Sequence, residues 1–314
     1  MDIETSTSLA IEAHGLSRSF GDVRAVDGID LAVASGSVTG VLGPNGSGKS
    51  TFLRLLIGLV RPDGGSATIA GAKLRGDGVA VRKRVTFAPG EIALYGELSA
   101  AEQLEWLLRG RSHKALLHAH AVADRLGLPM AKRVHEFSHG MKRQLLFAAA
   151  MGPDVSVRIL DEPTEGLDPA KRSCVLELIA EEAARGTTIL LSSHHLSEVE
   201  QVCDRLVFFF KGKLLADEDP AELRRLAAKS ARFEYATEAA ATAAAALLKT
   251  APAVANVHQD RHVLRLELDG VANPLALLEG LTASLQDLEP PVNLELGRLS
   301  LTDLYERVYG VRGL

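Results

Sequence analysis

Short apolar runs alternate with segments of helical spacing over the first two thirds of the chain. The runs 37–43 (SVTGVLG), 155–163 (VSVRILDEP) and 186–193 (GTTILLSS) are largely apolar, and each leads into a turn. Segment 51–60 (TFLRLLIGLV) instead repeats its apolar residues at helical spacing. Strands that alternate with helices indicate an α/β domain on a largely parallel sheet. We place this domain at 1–220.

The pattern becomes mainly helical between residues 92 and 152. Ser99 and Glu102 have the spacing of a capping box, which marks the N-terminus of a helix. A second helix is predicted after Ser138, whose hydroxyl suits the N-cap position. We therefore predict a helical subdomain at about 92–152 inside the first domain.

The character of the sequence changes again after the first domain. Residues 262–270 (HVLRLELDG) alternate leucine with charged residues, as a half-buried strand does, and 292–297 (VNLELG) follow the same pattern. Phe233 and Tyr235 alternate in the same way. Two segments rich in alanine or leucine are predicted helices: 238–249 and 275–288. The order β-α-β-β-α-β is that of a ferredoxin-like unit, so 221–314 are predicted to form a small α+β domain.

Composition narrows the possible functions. The formal net charge of −5 is mixed along the chain, so we expect no nucleic-acid partner. Two isolated cysteines, Cys174 and Cys203, form neither a disulfide framework nor a zinc pattern. The acidic first ten residues do not resemble a signal peptide. No stretch approaches the ~20 apolar residues of a membrane helix, so a membrane role would have to come through a partner.

A glycine-rich loop follows the first apolar run and precedes the first predicted helix. Its residues 43–50 fit the pattern G-x-x-x-x-G-K-[ST]. With Thr51, nine residues are assigned to nucleotide binding: Gly43, Pro44, Asn45, Gly46, Ser47, Gly48, Lys49, Ser50 and Thr51. Its backbone N–H groups and the helix N-terminus are suited to phosphate oxygens. Lys49 is expected to reach the β- and γ-phosphates, and the Ser50 hydroxyl is expected to bind Mg²⁺. The loop therefore predicts a nucleotide-binding site.

An apolar run ending in Asp161 and Glu162 supplies the second part of this site. A carboxylate at the end of a strand can reach the magnesium ion, and we assign that role to Asp161. Glu162 is expected to polarise the water that attacks the γ-phosphate. Together with the glycine-rich loop, the pair predicts an ATPase that uses Mg²⁺.

These motifs and several others resemble those of ATP-binding cassette (ABC) ATPases, in the same order and spacing over about residues 9–217. Four segments carry the resemblance: LSRSFGDVRAVDGI (16–29), FSHGMKRQ (137–144), DEPTEGLDP (161–169) and SSHHLSEVEQVCDRLVFFFKGKL (192–214). The resemblance implies a P-loop NTPase fold with a RecA-like lobe and a helical subdomain. It also implies that two cassettes close around two ATP molecules and move separate membrane permeases.

The resemblance assigns roles to individual residues. Phe20 would stack on adenine, Asp168 would bridge the two halves of the dimer, and His194 would contact the γ-phosphate. The signature loop would contact ATP on the opposite subunit through four residues: Ser138, His139, Gly140 and Met141. His195 is expected to be a surface histidine that caps a helix. A metal site at His194 and His195, or at His118 and His120, is not expected, because each pair lacks a third ligand and the spacing that places two ligands on one helix face.

The chain departs from the family pattern at two loops. His139 replaces the first glycine of the signature pair, and Met141 replaces its glutamine. In the loop that follows the strand 85–88, called the Q-loop, Gly90 stands where the family has a glutamine that contacts magnesium and the attacking water. Glu91 follows it, and we predict that the loop contacts the permease and that Glu91 takes over the polar role. The alternatives are that water fills the gap, or that Glu91 is a solvated loop charge and Gly90 a turn residue.

The resemblance favours the ATPase subunit of a bacterial exporter, working as a homodimer with a permease at the cytoplasmic face of the membrane. The end of the chain, SLTDLYERVYG (300–310), is similar to that of cassettes which serve export permeases. Importer cassettes are the nearest rival within the transport class. Gly90 and His139 leave open a nucleotide-binding regulator, or a non-transport ABC ATPase, with weakened hydrolysis.

Overall fold

The computed structural model describes residues 8–251, 254–268, 285, 288–297 and 304–305. The chain forms two compact units, Met1–Glu218 and Asp219–Leu314. The helix predicted at 275–288 lies outside the described residues apart from Leu285 and Leu288. The segment 300–310 lies outside them apart from Leu304 and Tyr305.

A six-stranded sheet forms the centre of the first unit. Its strands are β3 (Val38–Leu42), β6 (Val85–Ala88), β7 (Val157–Asp161), β8 (Thr188–Ser193), β9 (Arg205–Phe210) and β10 (Lys213–Glu218). They lie in the order β10-β9-β3-β8-β7-β6. Only the pair β9–β10 is antiparallel within this sheet. Every residue of β3, β7 and β8 is buried, as expected for parallel strands covered on both faces. The predicted α/β class with a largely parallel sheet is confirmed.

The first unit has a second, antiparallel sheet, which the sequence pattern did not predict. Two of its strands come before the glycine-rich loop in the chain and two come after it. Its strands are β1 (Leu9–Phe20), β2 (Val23–Ala34), β4 (Gly64–Ile69) and β5 (Ala72–Lys73), in the order β2-β1-β4-β5. Helix α1 (Lys49–Leu56) contributes Phe52 and Leu56 to a core that also contains Ile11 from β1 and Ile159 from β7. The helix that follows the loop is therefore anchored by residues of both sheets.

The remaining helices of the first unit include those of the predicted helical region. Their bounds are α2 (Val79–Arg82), α3 (Ala100–Leu107), α4 (His113–Arg125), a 3₁₀ helix (Val134–Glu136), α5 (His139–Met151), α6 (Pro169–Ala184) and α7 (Leu196–Val199). Ser99 and Glu102 form the predicted capping box at α3, and Ser138 caps α5 by accepting from Met141 N–H at 3.2 Å. Among the residues that the structure describes, no helix has the length and apolar character needed to cross a bilayer.

The second unit carries a four-stranded antiparallel sheet. Its elements are α8 (Pro220–Ala228), β11 (Ser230–Glu234), α9 (Glu238–Leu248), β12 (Val254–Asp260), β13 (Val263–Leu268) and β14 (Asn293–Leu296). The strand order is β12-β13-β11-β14, so β13 lies between the two strands that α9 connects. This split β-α-β arrangement agrees with a ferredoxin-like unit. Buried Phe233, Leu264 and Leu266 lie in its core.

Candidate functional site

Four loops meet at one edge of the central sheet. They follow β3, β8, β7 and β6, which are neighbours in that order and run in parallel. Ligands of open α/β sheets bind outside the carboxyl ends of such strands. A pocket of about 230 Å³ lies here and is lined from all four loops, by Asn45, Ser50, Gly90, Asp161, Glu162 and His194. The structure therefore brings together the residues that the sequence assigned to phosphate, magnesium and water.

Two glycines of the glycine-rich loop have no room for a side chain. Gly48 has φ of 105°, and a Cβ atom there would lie 2.2 Å from Ala25 O. A Cβ at Gly43 would lie 2.5 Å from Phe209 O. Gly46 also has a positive φ, of 79°, and Ser47 N–H donates to Pro44 O at 3.1 Å. The loop thus keeps its backbone close to the ends of β2 and β9, which fits a phosphate cradle.

Lys49 begins α1, and its side chain is only 5% exposed. Its ammonium donates to Gly43 O at 2.6 Å and to Pro44 O at 3.2 Å, and it lies 3.5 Å from Glu162 Oε1. Burial lowers the pKa of Lys49, while the carboxylate of Glu162 opposes that shift. A buried cation beside the loop backbone fits binding of a polyanion such as a triphosphate. Thr51 is half-buried in the first turn of the same helix.

Ser50 and Asp161 offer oxygen ligands to a hard cation. Ser50 Oγ donates to Asp161 Oδ1 at 3.0 Å, and Ser192 Oγ donates to the same oxygen at 2.6 Å. Within the part of the chain that the structure describes, the buried Asp161 Oδ2 has no hydrogen-bond partner. A buried carboxylate oxygen without a partner, beside a serine hydroxyl, fits Mg²⁺, which prefers oxygen ligands.

Glu162 is held at both its main chain and its side chain. Its φ of 49° lies in the left-handed region, which is uncommon for residues other than glycine and is concentrated at functional sites. Its N–H donates to Ser192 Oγ at 2.9 Å, and its carbonyl accepts from Arg143 at 2.6 Å. The carboxylate lies between Lys49 and the Nδ1 atom of His194, which is 3.0 Å from Oε2. These contacts fix a carboxylate in the lining of the pocket.

The sequence did not predict a role for Arg143, which lies on α5 and is 6% exposed. Besides its bond to Glu162 O, its guanidinium donates to Gly90 O at 3.1 Å and lies 3.4 Å from His139 Nε2. Burial lowers its pKa. One side chain therefore connects the signature helix, the Q-loop and Glu162. The only sequence signal was its position four residues after His139, which places both on one face of a helix.

The Q-loop residues occupy different surroundings. A Cβ atom at Gly90 would lie 3.0 Å from Asp161 Oδ2, so the backbone approaches the Asp161 carboxylate closely at this position. Glu91 lines the same pocket, but its side chain is 83% exposed and its Oε1 lies 3.0 Å from an Arg54 nitrogen. The polar role of Glu91 toward the nucleotide stays a prediction.

Glu165 and His194 line the pocket, and His195 lies beside His194. His194 Nε2 lies 3.2 Å from Glu165 Oε2, and the rings of His194 and His195 have centroids 3.9 Å apart. His195 is exposed at the N-cap position of α7, as predicted, but its side chain makes no capping hydrogen bond. One of the two reasons given against a metal site at His194 and His195 is wrong, since Glu165 supplies a third donor within 4.8 Å of the other two.

The signature residues occupy the N-terminus of α5. Ser138 and His139 are exposed there, while Gly140 and Met141 are half-buried in the first turn. A Cβ atom at Gly140 would lie 2.9 Å from Gly166 O, so glycine allows close approach to the loop before α6. Their contact with nucleotide on a second subunit stays a prediction.

The roles expected of Phe20 and Asp168, adenine stacking and a dimer contact, require an exposed side chain or a position at the end of an element. Both residues meet this requirement. Phe20 ends β1 with 47% of its surface exposed, and the Arg18 guanidinium lies 4.8 Å from its ring centroid. Asp168 caps α6 by accepting from Lys171 N–H at 2.9 Å. Asp168 thus has a structural role within its own chain. Adenine stacking and the dimer contact stay predictions.

Comparison with known sequences agrees with this site. A family profile described as "ABC transporter" matches residues 26–165, and one described as "AAA domain, putative AbiEii toxin, Type IV TA system" matches residues 131–200. The chain is 38% identical over 222 residues to daunorubicin resistance ATP-binding protein DrrA3 of Streptomyces coeruleorubidus, covering 68% of this chain and 70% of that protein. It is 32% identical to daunorubicin/doxorubicin resistance ATP-binding protein DrrA of Streptomyces peucetius, over 98% of this chain and 94% of that protein. Nod factor export ATP-binding protein I of Rhizobium sp. (strain N33) is 37% identical, over 69% of this chain and 73% of that protein.

Solved structures show the same fold. An ATP-binding subunit of an ABC transporter superposes with a TM-score of 0.63 and 29% identity, over 69% of this chain and 92% of that chain. A dimeric bacterial ABC transporter cassette gives a TM-score of 0.61 at 21% identity, over 67% of this chain and 98% of that chain, which concerns the fold alone. Sequence similarity to an ATP-binding protein spans nearly the whole chain, and the fold of the chain brings the nucleotide motifs to one pocket. The chain therefore belongs to the ATP-binding subunits of ABC transporters and is an ABC ATPase.

Proposed function

We propose that this chain is the ATP-hydrolysing subunit of a bacterial exporter, acting as a homodimer on a separate membrane permease from the cytoplasmic face. The observation that carries the hydrolytic part is the carboxylate of Glu162, held between Lys49 and His194 beside Asp161. Export is supported by the relatives, whose names refer to drug resistance and Nod factor export. The relative that matches 98% of the chain is among them.

In the proposed mechanism, ATP binds with its phosphates on the glycine-rich loop and the N-terminus of α1. Lys49 exchanges its carbonyl contacts for the β- and γ-phosphate oxygens. Ser50 and Asp161 would hold Mg²⁺, which neutralises phosphate charge when it is bound. Glu162 orients the attacking water and accepts its proton. His194 keeps Glu162 in place through Nδ1 and contacts the γ-phosphate through Nε2.

The position of the signature loop supports a nucleotide site that a second copy of the chain completes. Of the described residues that line the pocket, none belongs to Ser138–Met141. Ser138 and His139 are exposed at the N-terminus of a 13-residue helix, where backbone N–H groups favour an anion. We propose that they contact the γ-phosphate bound by the partner subunit, with Asp168 at the junction. ATP would then close the dimer, and hydrolysis would reopen it.

A groove beside the Q-loop is our proposed contact for the permease. It has a volume of about 340 Å³ and is lined mainly by apolar side chains, among them Phe87, Pro89, Leu107 and Leu146. Pro89 directly precedes Gly90, whose backbone approaches Asp161. An amphipathic helix of the permease that fills this groove would therefore touch the segment leading to the catalytic carboxylates.

Co-purification with the permease tests the transport part of the proposal. We expect the chain to co-purify with its permease and to hydrolyse ATP faster when transported substrate is present. Leu107→Glu should abolish permease binding and leave the ATPase rate of the isolated chain unchanged. The matched control is Leu117→Glu, because Leu117 is 57% exposed and is not among the residues that line the groove. Equal permease binding by both variants would contradict the groove assignment.

A further inference from the structure

We infer that Glu165, His194 and His195 form a binding site for a divalent transition-metal ion such as Zn²⁺, separate from the oxygen ligands Ser50 and Asp161. Each of the three offers one donor atom, and these atoms all lie within 4.8 Å of one another. His195 is exposed, and the side chains of Glu165 and His194 are 40% and 26% exposed. An ion from solvent can therefore reach all three donors.

The spacing of the donors suits a tetrahedral ion. Zn²⁺ binds histidine nitrogen and carboxylate oxygen at about 2.0–2.2 Å, which separates two such ligands by roughly 3.4 Å at the tetrahedral angle. His194 Nε2 and Glu165 Oε2 are already 3.2 Å apart. The ring of His195 is tilted by 44° to that of His194 and caps no helix, so rotation of its own side chain can bring it to the ion. Three protein ligands leave the fourth position to water.

A hydrogen bond behind His194 prepares it as a ligand. Its Nδ1 lies 3.0 Å from Glu162 Oε2, and metal-binding histidines commonly donate their second N–H to a carboxylate in this way. With the proton on Nδ1, the Nε2 lone pair faces the oxygen of Glu165. Two acceptors at this distance repel each other, and a cation between them replaces that repulsion with two bonds.

The donor set selects the kind of ion. Two imidazoles favour Zn²⁺, Ni²⁺ or Cu²⁺, whereas Mg²⁺ prefers oxygen ligands. An ion on Nε2 occupies the nitrogen that would contact the γ-phosphate, so it should inhibit ATP hydrolysis. This inhibition rests on the proposed role of His194, but the existence of the site does not. Because ATP and the ion need the same nitrogen, ATP should compete with the ion.

Binding of Co²⁺ to the full-length, nucleotide-free protein tests the site, with Co²⁺ followed by its visible absorption. Glu165→Gln and His195→Ala should each lower Co²⁺ affinity by at least about 10-fold, and Zn²⁺ should displace the bound Co²⁺. The control is His113→Ala, which removes an exposed histidine at the start of α4 and should leave affinity unchanged. The site is overturned if both variants bind Co²⁺ as tightly as wild type, or if His113→Ala weakens binding equally.

ATPase assays at fixed free Zn²⁺ test the consequence. Wild type should lose turnover as Zn²⁺ rises, with relief at high ATP, and His195→Ala should resist Zn²⁺ while keeping its basal rate. Binding without inhibition would overturn the inhibitory step and count against the role of His194 in hydrolysis. Absence of binding would overturn the metal site and leave the proposed transport function standing.

Discussion

Arg143→Met tests whether the main chain of Glu162 must be held for hydrolysis. In the structure Glu162 has a left-handed conformation, and its main chain donates to Ser192 Oγ and accepts from the Arg143 guanidinium and, at 3.3 Å, from Glu165 N–H. Methionine fills similar space but donates no hydrogen bond, so the variant removes the guanidinium's bonds to Glu162 O and to Gly90 O. We expect the carboxylate of Glu162 to leave its position between Lys49 and His194 in most molecules.

The size of the effect follows from the contacts. Hydrogen bonds from a charged group contribute about 1.5–3 kcal/mol each, and a residue other than glycine pays roughly 1–2 kcal/mol for left-handed backbone. The stabilisation lost with the Arg143 hydrogen bond is therefore about as large as the free-energy cost of the left-handed backbone of Glu162. A loss of about 1.5–3 kcal/mol in the catalytic arrangement corresponds to a fall in kcat of roughly 10- to 150-fold. ATP affinity should change little, because Lys49 and the glycine-rich loop remain.

The assay compares kcat, KM and ATP binding for Arg143→Met with Arg125→Met. Arg125 lies on α4 in an exposed ion pair with Glu181, 2.6 Å apart, so its loss should cost less than about 1 kcal/mol and leave kcat unchanged. A fall in kcat with unchanged ATP binding is the expected result for Arg143→Met. If its kcat equals that of Arg125→Met, the contacts of Arg143 do not position Glu162.

Two further predictions concern Lys49, which lies beside Glu162, and Glu91, which lines the pocket. Lys49→Ala removes a buried cation beside the loop carbonyls, so equilibrium ATP binding should weaken; unchanged binding by calorimetry would contradict the phosphate cradle. Glu91→Ala should slow turnover and shift its Mg²⁺ dependence, measured by steady-state rates over a Mg²⁺ titration, while Arg54→Ala is the matched variant on the other side of the ion pair. If Glu91→Ala leaves both quantities unchanged, Glu91 is only an exposed partner of Arg54.

The central sheet and its catalytic motifs could be predicted because local pattern determines them. Buried parallel strands read as continuous apolar runs, and the residues directly after them lie at one sheet edge. Ser50, Glu162 and His194 come after such runs, so their assembly into one pocket required only the order of the strands. The caps at Ser99 and Ser138 were predictable for the same reason, since a cap is a local interaction.

The antiparallel sheet and the contacts of Arg143 depend on residues far apart in sequence. Strand β1 pairs with β2 nearby but also with β4, across the glycine-rich loop and α1. Arg143 reaches Gly90, 53 positions earlier, and no spacing rule relates the two. Glu165 meets His194 only because β7 and β8 are neighbours in the sheet. Such partners are set by tertiary packing, which a single sequence does not display.

Hydrolysis and dimer formation by Glu162→Gln, compared with wild type, test the central claim most directly. Glutamine keeps the size of the side chain but cannot accept the proton of the attacking water. We predict measurable ATP hydrolysis by wild type, and for Glu162→Gln unchanged ATP binding, a collapse of steady-state turnover and accumulation of an ATP-bound dimer in sedimentation. Turnover close to that of wild type in the variant would contradict the account, and absence of hydrolysis in wild type with its permease would favour a nucleotide-binding regulator instead.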